Sequence, residues 1–186
     1  MFPLAAIQEL FEYNYWAQDR QLEACSLATQ EQFLRPIAGS FPSLRDTLAH
    51  LVDGEEYALR RWNGESRQQI IDAMGYSNVD GRLTLWPDQF PNFGAVRRRA
   101  DSVERQVRQF LSNLTNEQIA SSAMYTDSAG RTWAYPLWRM LVHHVTHQTY
   151  HRGQVTTLLR QLGLTPAKID FLEAHNSRPE DTGLPR

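Results

Sequence analysis

Residues 136–163 read PLWRMLVHHVTHQTYHRGQVTTLLRQLG and form the longest segment of helical period in the chain. Apolar residues recur in it at steps of three and four, which is the spacing of one face of an α-helix. They are Leu137, Met140, Leu141, Val155, Leu158, Leu159 and Leu162. Proline is tolerated in the first turn of a helix, and Gly163 followed by Pro166 is typical of a helix end. We therefore predict a helix over residues 136–162.

Three further segments show the same helical period. The first covers residues 3–26, and the second covers 43–64, where Ser43 and Asp46 favour a helix start. The third covers 92–114 and carries the cleanest apolar stripe of the chain. Four long amphipathic helices predict an all-α protein, a four-helix bundle.

The segments between these helices differ in character. Residues 67–91 contain several glycines and prolines with little period, which predicts a long crossover connection. Residues 124–126 and 132–135 flank a turn and predict a small β-hairpin before the last helix. The tail, about 166–186, is expected to add a short helix at 168–175. A length of 186 residues predicts a single domain, 1–186.

Composition excludes several classes of protein. A net charge of −2 at pH 7 provides no basic field for nucleic acid. The only cysteine, Cys25, allows no internal disulfide and no cysteine-based zinc site within one chain, which fits a reducing compartment. No apolar run approaches the ~20 residues that span a bilayer, and the N-terminus lacks the basic start of a signal peptide. We expect a soluble, cytoplasmic protein that binds no membrane.

The centre of the last helix interrupts its apolar face with polar residues. That face carries His144, His147, Gln148 and His151, with His143 just to one side. Burial of imidazoles without partners costs on the order of 1–3 kcal/mol each, and a metal ion is the simplest partner. His147 and His151 lie one turn apart, which places two ring nitrogens side by side. Gln148 stands where the zincin motif has glutamate, which disfavours proteolysis of that type.

A third ligand must come from another helix, and periodicity leaves it open. The candidates are His50, His175, Glu55, Asp53 and Glu56. Glu55 falls in the centre of the apolar stripe of the second helix, whereas His50 lies on its flank. Each also has an ordinary interpretation, Glu55 as the partner of an arginine across the bundle and His50 as a surface residue.

Several segments resemble the DinB (damage-inducible) family. Residues 146–154 read THQTYHRGQ and are followed by LLRQLG at 158–163, while LAHLV at 48–52 precedes Glu55. Further matches lie at residues 11–16 and at Asp170 with Phe171, so the resemblance covers essentially the whole chain.

The resemblance implies a four-helix bundle, usually a homodimer, that binds a divalent metal such as zinc or nickel through three histidines. Matched position by position, these ligands are His50, His147 and His151. Thr146 stands where many relatives have asparagine, a difference that affects a contact beside the ligands rather than the ligand set.

Three neutral histidines leave at least one coordination position open, as in catalytic metal sites. A metal lowers the pKa of bound water from ~16 toward ~7, or deprotonates a bound thiol. The wider superfamily that the chain resembles includes thiol-dependent S-transferases and a thiol-dependent maleylpyruvate isomerase. Transfer of a low-molecular-weight thiol to a small-molecule substrate is therefore the leading hypothesis, with Glu55 as the best-placed general base.

Two alternatives remain open. One is metal-dependent hydrolysis, with bound water as the nucleophile. The other is a stress-related metal-binding protein without catalytic activity, in which the metal joins the helices. Residues that could contact a substrate are Tyr150, Arg152, Arg61 and Trp86.

The side of the last helix opposite the histidines is also apolar. Trp138, Val142 and Val145 project there, and tryptophan is enriched at association surfaces. Together with the resemblance, this favours a symmetric homodimer. The alternative is that the hairpin or the tail covers this side within one chain.

Overall fold

The computed structural model describes residues 3–79, 82–84, 89–127 and 129–176. Within these ranges the helices are α1 (Leu4–Cys25), α2 (Gln30–Leu34), α3 (Leu44–Trp62), α4 (Arg67–Met74), α5 (Phe93–Ser112), α6 (Asn116–Ala120), α7 (Leu137–Gln161) and α8 (Phe171–Ala174). The strands are β1 (Ser77–Val79), β2 (Arg82–Thr84), β3 (Ser122–Thr126) and β4 (Thr132–Pro136). The four long helices end within two residues of their predicted limits, so the predicted helical bundle is confirmed.

The ends of the long helices follow the signals in the sequence. The Ser43 hydroxyl accepts a hydrogen bond from the Asp46 amide at 3.1 Å, which satisfies a free N–H at the start of α3. The Asn92 side chain caps α5 in the same way, through the Ala95 amide at 3.0 Å. Beyond α7, Gly163 has a φ of +76°, a left-handed conformation that glycine adopts without strain.

The core lies between α1, α3, α5 and α7. Helix α7 packs against α1 and α3, and α5 packs against the same two helices on the other side. The apolar stripe of α5 is fully enclosed at Val96, Ala100, Val103 and Val107. Across the α3–α7 contact, Leu51 meets Gln148 and Glu55 meets His144, so these two helices run antiparallel. No helix of the described ranges is long and apolar enough to cross a bilayer.

The crossover connection contains more structure than its sequence suggested. Helix α4 begins with a capping box, in which Ser66 accepts from the Gln69 amide and the Gln69 side chain accepts from the Ser66 amide. It ends at Gly75, whose φ of +66° is left-handed. Strands β1 and β2 then pair antiparallel, with Ser77 opposite Thr84. The sequence does contain a signal for this helix, because Ser66 stands three residues before Gln69 and Gly75 follows the last turn.

The predicted hairpin before the last helix is confirmed. Strand β3 pairs antiparallel with β4, with Thr126 opposite Thr132, and β4 continues directly into α7. The tail forms the short helix α8, which covers only part of the predicted 168–175. The Tyr13 hydroxyl donates to the Ile169 carbonyl at 2.9 Å, which fixes the tail against α1.

The prediction of an exposed apolar patch on α7 is wrong. Val145 is buried with 4% exposure, and Trp138 and Val142 pack against the same core. The reason is that α7 contacts α1, α3, α6 and β4, so other elements cover more than one face of this helix. The homodimer therefore rests on the family resemblance alone, and light scattering at micromolar concentration tests it.

Val145→Asp is expected to lower the free energy of unfolding by about 3 kcal/mol or more, because it places an unpaired charge in the core. Chemical denaturation at two protein concentrations measures this. Thr146→Asp, at the exposed neighbouring position, is the control and should change stability by about 0.5 kcal/mol or less. A change of molecular mass without loss of stability in the Val145 variant would instead place this side chain at a subunit interface.

Candidate metal centre

Three histidines converge where α3 crosses α7. The Nε2 atoms of His50 and His151 are 3.2 Å apart, and those of His151 and His147 are 3.1 Å apart. Ligands about 2.0–2.1 Å from a tetrahedral zinc ion are separated by about 3.3 Å, so these separations fit a shared metal ion. The ligand atoms of these three side chains all lie within 4.8 Å of one another. Among the described residues, no other group of three or more histidine, cysteine or carboxylate side chains lies this close together.

Neighbouring side chains fix the orientation of the imidazoles. His151 Nδ1 donates to Gln154 Oε1 at 2.7 Å, which leaves the Nε2 lone pair directed at the cluster. The Gln154 amide in turn donates to the Ser40 hydroxyl at 2.8 Å. The ring of Phe41 stacks on His50 with 4.5 Å between centroids. Gln154 stands three residues after His151, one turn along the same helix, and this spacing is the signal that could have identified it.

Burial favours the neutral form of two imidazoles of the cluster, those of His50 and His147. Burial, and secondarily the neighbouring His151, lower the pKa of His50 to about 4. The same causes, in the same order, lower the pKa of His147 to about 4. Neutral imidazole is the form with a lone pair for a metal, so these two side chains are ready to bind near pH 7 without losing a proton.

The other candidates for the third ligand lie elsewhere. His175 sits in the tail, with its Nδ1 3.9 Å from Glu9. Glu56 forms ion pairs with Arg99 at 2.6 Å and with Arg60 at 3.4 Å. The structure thus brings His50, rather than these residues, to the histidine pair of α7.

Glu55 lies behind the cavity wall, in the core. It is 1% exposed, and its Oε1 atom accepts from the Tyr15 hydroxyl at 3.0 Å and lies 3.3 Å from His144 Nε2. His144 itself lines the cavity described below. Any influence of Glu55 on a ligand therefore passes through the His144 imidazole.

A large cavity opens beside the histidine cluster, between α3 and α7. Its volume is about 920 Å³. Side chains of α3 line one wall at successive turns of the helix, at His50, Asp53, Tyr57 and Arg61. Side chains of α7 line the other wall at Arg139, Met140, His143, His144 and His147. A ligand in this cavity would contact the cluster at one end and Arg61 at the other.

The residues that were suggested as substrate contacts lie in different parts of the structure. Arg61 lines the cavity, as expected. Arg152 does not, because it is buried against α1, where it donates to the Asn14 side chain at 2.6 Å. Tyr150 is 66% exposed and its ring lies edge-on to His151. Trp86 falls outside the described residues.

Asp53 is an unusual member of the cavity wall. It is 2% exposed, and both carboxylate oxygens are buried with no hydrogen-bond partner among the described residues. Burial raises the pKa of this carboxyl to about 8, against the opposing effect of Arg99, and the like charge of Glu56 adds to the rise. A buried polar group without a partner weakens folding, so its presence in a cavity is typical of a functional position.

Comparison with known proteins agrees with this architecture. The sequence model of the DinB family matches residues 1–182. The chain belongs to the DinB family. Protein DinB of Bacillus subtilis is 23% identical over 164 residues, which cover 88% of this chain and 90% of that protein. The uncharacterized protein YizA of the same organism is 21% identical over 168 residues, covering 89% and 94%.

A solved structure shares the fold. The crystal structure of a DinB-like protein from Bacillus cereus superposes with a TM-score of 0.54 at 19% identity, covering 86% of this chain and 94% of that one. At this level of identity the likeness concerns the fold. The three-histidine cluster of this DinB-family chain is a site that could hold a metal ion.

The purified protein is expected to carry about one divalent metal ion per chain. His147→Ala or His151→Ala should remove most of it, because each change deletes one of three ligand nitrogens. Elemental analysis measures the metal content. His143→Ala, a neighbour outside the cluster, should keep the metal, and mutants of His147 and His151 with full occupancy would contradict the assignment.

Asp53→Asn is expected to stabilise the protein more at pH 8.5 than at pH 5. The pKa of Asp53 in the folded state lies above the unfolded value of about 3.9. Ionisation of this carboxyl therefore destabilises the folded state progressively as pH rises from about 4 to about 8. Thermal denaturation should show a gain of roughly 2–5 kcal/mol at the higher pH. Asp72→Asn, at an exposed position, is the control. Equal changes at both pH values would mean that Asp53 titrates normally.

Proposed function

We propose that this protein is a metal-dependent enzyme that activates a small thiol and transfers it to an electrophilic carbon. The observation that carries the proposal is the position of the three-histidine cluster at one end of a cavity of about 920 Å³. Structural zinc sites are closed by four protein ligands, whereas catalytic sites keep a position open toward a substrate. Three histidines beside a ligand-sized cavity fit the second kind.

The donor set is suitable for zinc, nickel and other imidazole-binding divalent metals. When bound, such a metal supplies a Lewis acid that lowers the pKa of a thiol at the open position. In the transfer, a sulfur–carbon bond forms, the bond from that carbon to its leaving group breaks, and the thiol proton passes to a base. The leaving group departs with the bonding electrons, for example as a halide ion.

His144 is the base that the proposal assigns to this proton. Its ring lines the cavity and is held between Phe11, stacked at 6.0 Å, and Trp62, edge-on at 5.4 Å. Glu55 Oε1, 3.3 Å from His144 Nε2, orients the imidazole. Glu55 is thus a positioning residue in this scheme.

The aromatic rings of the cavity suit an apolar electrophile. Tyr57, Trp62, Tyr76, Phe90 and Tyr135 line it together with the α7 side chains. Apolar walls with a few polar groups are typical of small-molecule sites, and they exclude water that would compete as a nucleophile.

Metal-loaded protein should transfer glutathione, bacillithiol, mycothiol or a simple thiol to a haloaromatic or an epoxide, faster than the metal-stripped protein. His144→Ala should lower the rate by about 100-fold while the metal content is kept, since general-base catalysis contributes about that much. His175→Ala removes an imidazole in the tail, away from the cavity, and is the control that should retain the rate. Glu55→Gln should lower kcat more than it raises KM, because it acts on the orientation of His144.

Other outcomes of the same screen favour the alternatives. Metal-dependent turnover of esters or amides without thiol transfer would favour a hydrolase. If no substrate turns over and metal only raises the melting temperature, the ion joins α3 to α7 without catalysis. In that case Glu55 and His144 variants would leave the metal-dependent stability intact.

A further inference from the structure

We propose that Asp53 binds a ligand's ammonium group inside the cavity, at a subsite separate from the three-histidine cluster. The inference rests on the proposed function, because both concern a ligand of the same cavity. It adds a chemical class, a small molecule that carries a primary or secondary amine.

The first observation is that Asp53 has no hydrogen-bond partner among the described residues, whereas the neighbouring carboxylates have partners. Both of its buried oxygens lack a hydrogen-bond donor in the described part of the chain. Glu55 accepts from Tyr15, and Asp46, which also lines the cavity, accepts from Ser43 and from Arg45 at 2.8 Å. A carboxylate accepts about four hydrogen bonds, so Asp53 has capacity for a ligand with several N–H donors.

The second observation concerns the positive charges nearby. Arg99 is the cation that acts most strongly on Asp53, yet its Nη2 atom is 2.6 Å from Glu56 Oε2 and the ion pairs of the described residues do not include Asp53. The three arginines of the cavity wall are also engaged elsewhere. Arg45 pairs with Asp46, and Arg61 donates to the Met124 carbonyl at 3.4 Å. The guanidinium of Arg139 lies over the Trp138 ring, 5.3 Å from its centroid. The chain therefore supplies no direct counter-ion to Asp53 in the described ranges.

The third observation is the wall around the carboxyl. Tyr57 follows Asp53 by one turn of α3, and Trp62, Tyr76 and Tyr135 line the same cavity. Aromatic faces attract cations, so a carboxylate in a cavity with aromatic walls suits an ammonium group better than an anion.

The position relative to the cluster limits the size of the ligand. Asp53 follows His50 by three residues, a rise of about 4.5 Å along α3 on the same cavity wall. A molecule with an amine a few bonds from its metal-binding atom would reach both. For the thiol of the proposed function, this describes an aminothiol.

The binding test uses two probes with one carbon skeleton, phenethylamine and 2-phenylethanol, titrated calorimetrically into metal-loaded protein at pH 7.5. The amine should bind at least about tenfold more tightly than the alcohol, and Asp53→Asn should remove this preference while leaving alcohol binding unchanged. Asp46→Asn removes a cavity carboxylate that already has partners and should leave the preference intact. Because a free amine also binds metals, the preference must persist in His147→Ala.

Equal affinity for amine and alcohol, or a preference that survives Asp53→Asn, would overturn the inference. A transfer assay separates it from the proposed function. Cysteamine should be transferred with a higher kcat/KM than 2-mercaptoethanol, and Asp53→Asn should make the two equal. Transfer without any amine preference overturns the subsite alone, whereas Asp53-dependent amine binding without transfer overturns the proposed activity alone.

Discussion

The site depends on one hydrogen bond in the core, from Gln148 Nε2 to the Leu51 carbonyl oxygen, at 2.8 Å. Gln148 is 1% exposed, so its amide has no water to replace this partner. A shift of one residue along a helix moves a side chain by 1.5 Å and turns it by about 100°, which would separate His50 from the pair on α7. The bond therefore fixes the register in which three imidazoles meet. Further buried polar contacts, such as Arg152 with Asn14 at 2.6 Å, fix α1 against the same helix.

The same core is less stable than an apolar bundle would be, and the weak points surround the cavity. Burial holds the pKa of His50 and His147 near 4, and it leaves the Asp53 carboxyl without a donor among the described residues. Leucine at these positions would fill the space and remove the desolvation cost. Buried polar side chains that destabilise the fold and lie together around a cavity are typical of sites selected for binding or chemistry.

The helices were predictable because each carries a strong apolar period and recognisable ends. Two of the three histidines were predictable as well, since His147 and His151 lie one turn apart. His50 followed from the family resemblance and from no periodicity. Helix α4 in the crossover connection was not predicted, because it is short and shows little apolar period; its capping box is the stronger signal. Arg152 and Val145 were misplaced for a common reason. Their surroundings depend on helices distant in sequence, and a single helical wheel does not contain that information. That no described residue donates to Asp53 is likewise a property of the assembled core.

The ligand set combines very different sequence separations. His147 and His151 are four residues apart, whereas His50 and His151 are separated by 101. The local pair is complete as soon as one turn of α7 forms, so a metal ion can reach it before the bundle closes. Only the contact with His50 requires the long loop between α3 and α7 to close. An ion that already binds the unfolded chain through two imidazoles stabilises the fold by the third ligand alone. A metal ion held by this cluster would accompany folding from its early steps, and its thermodynamic effect would be concentrated in His50.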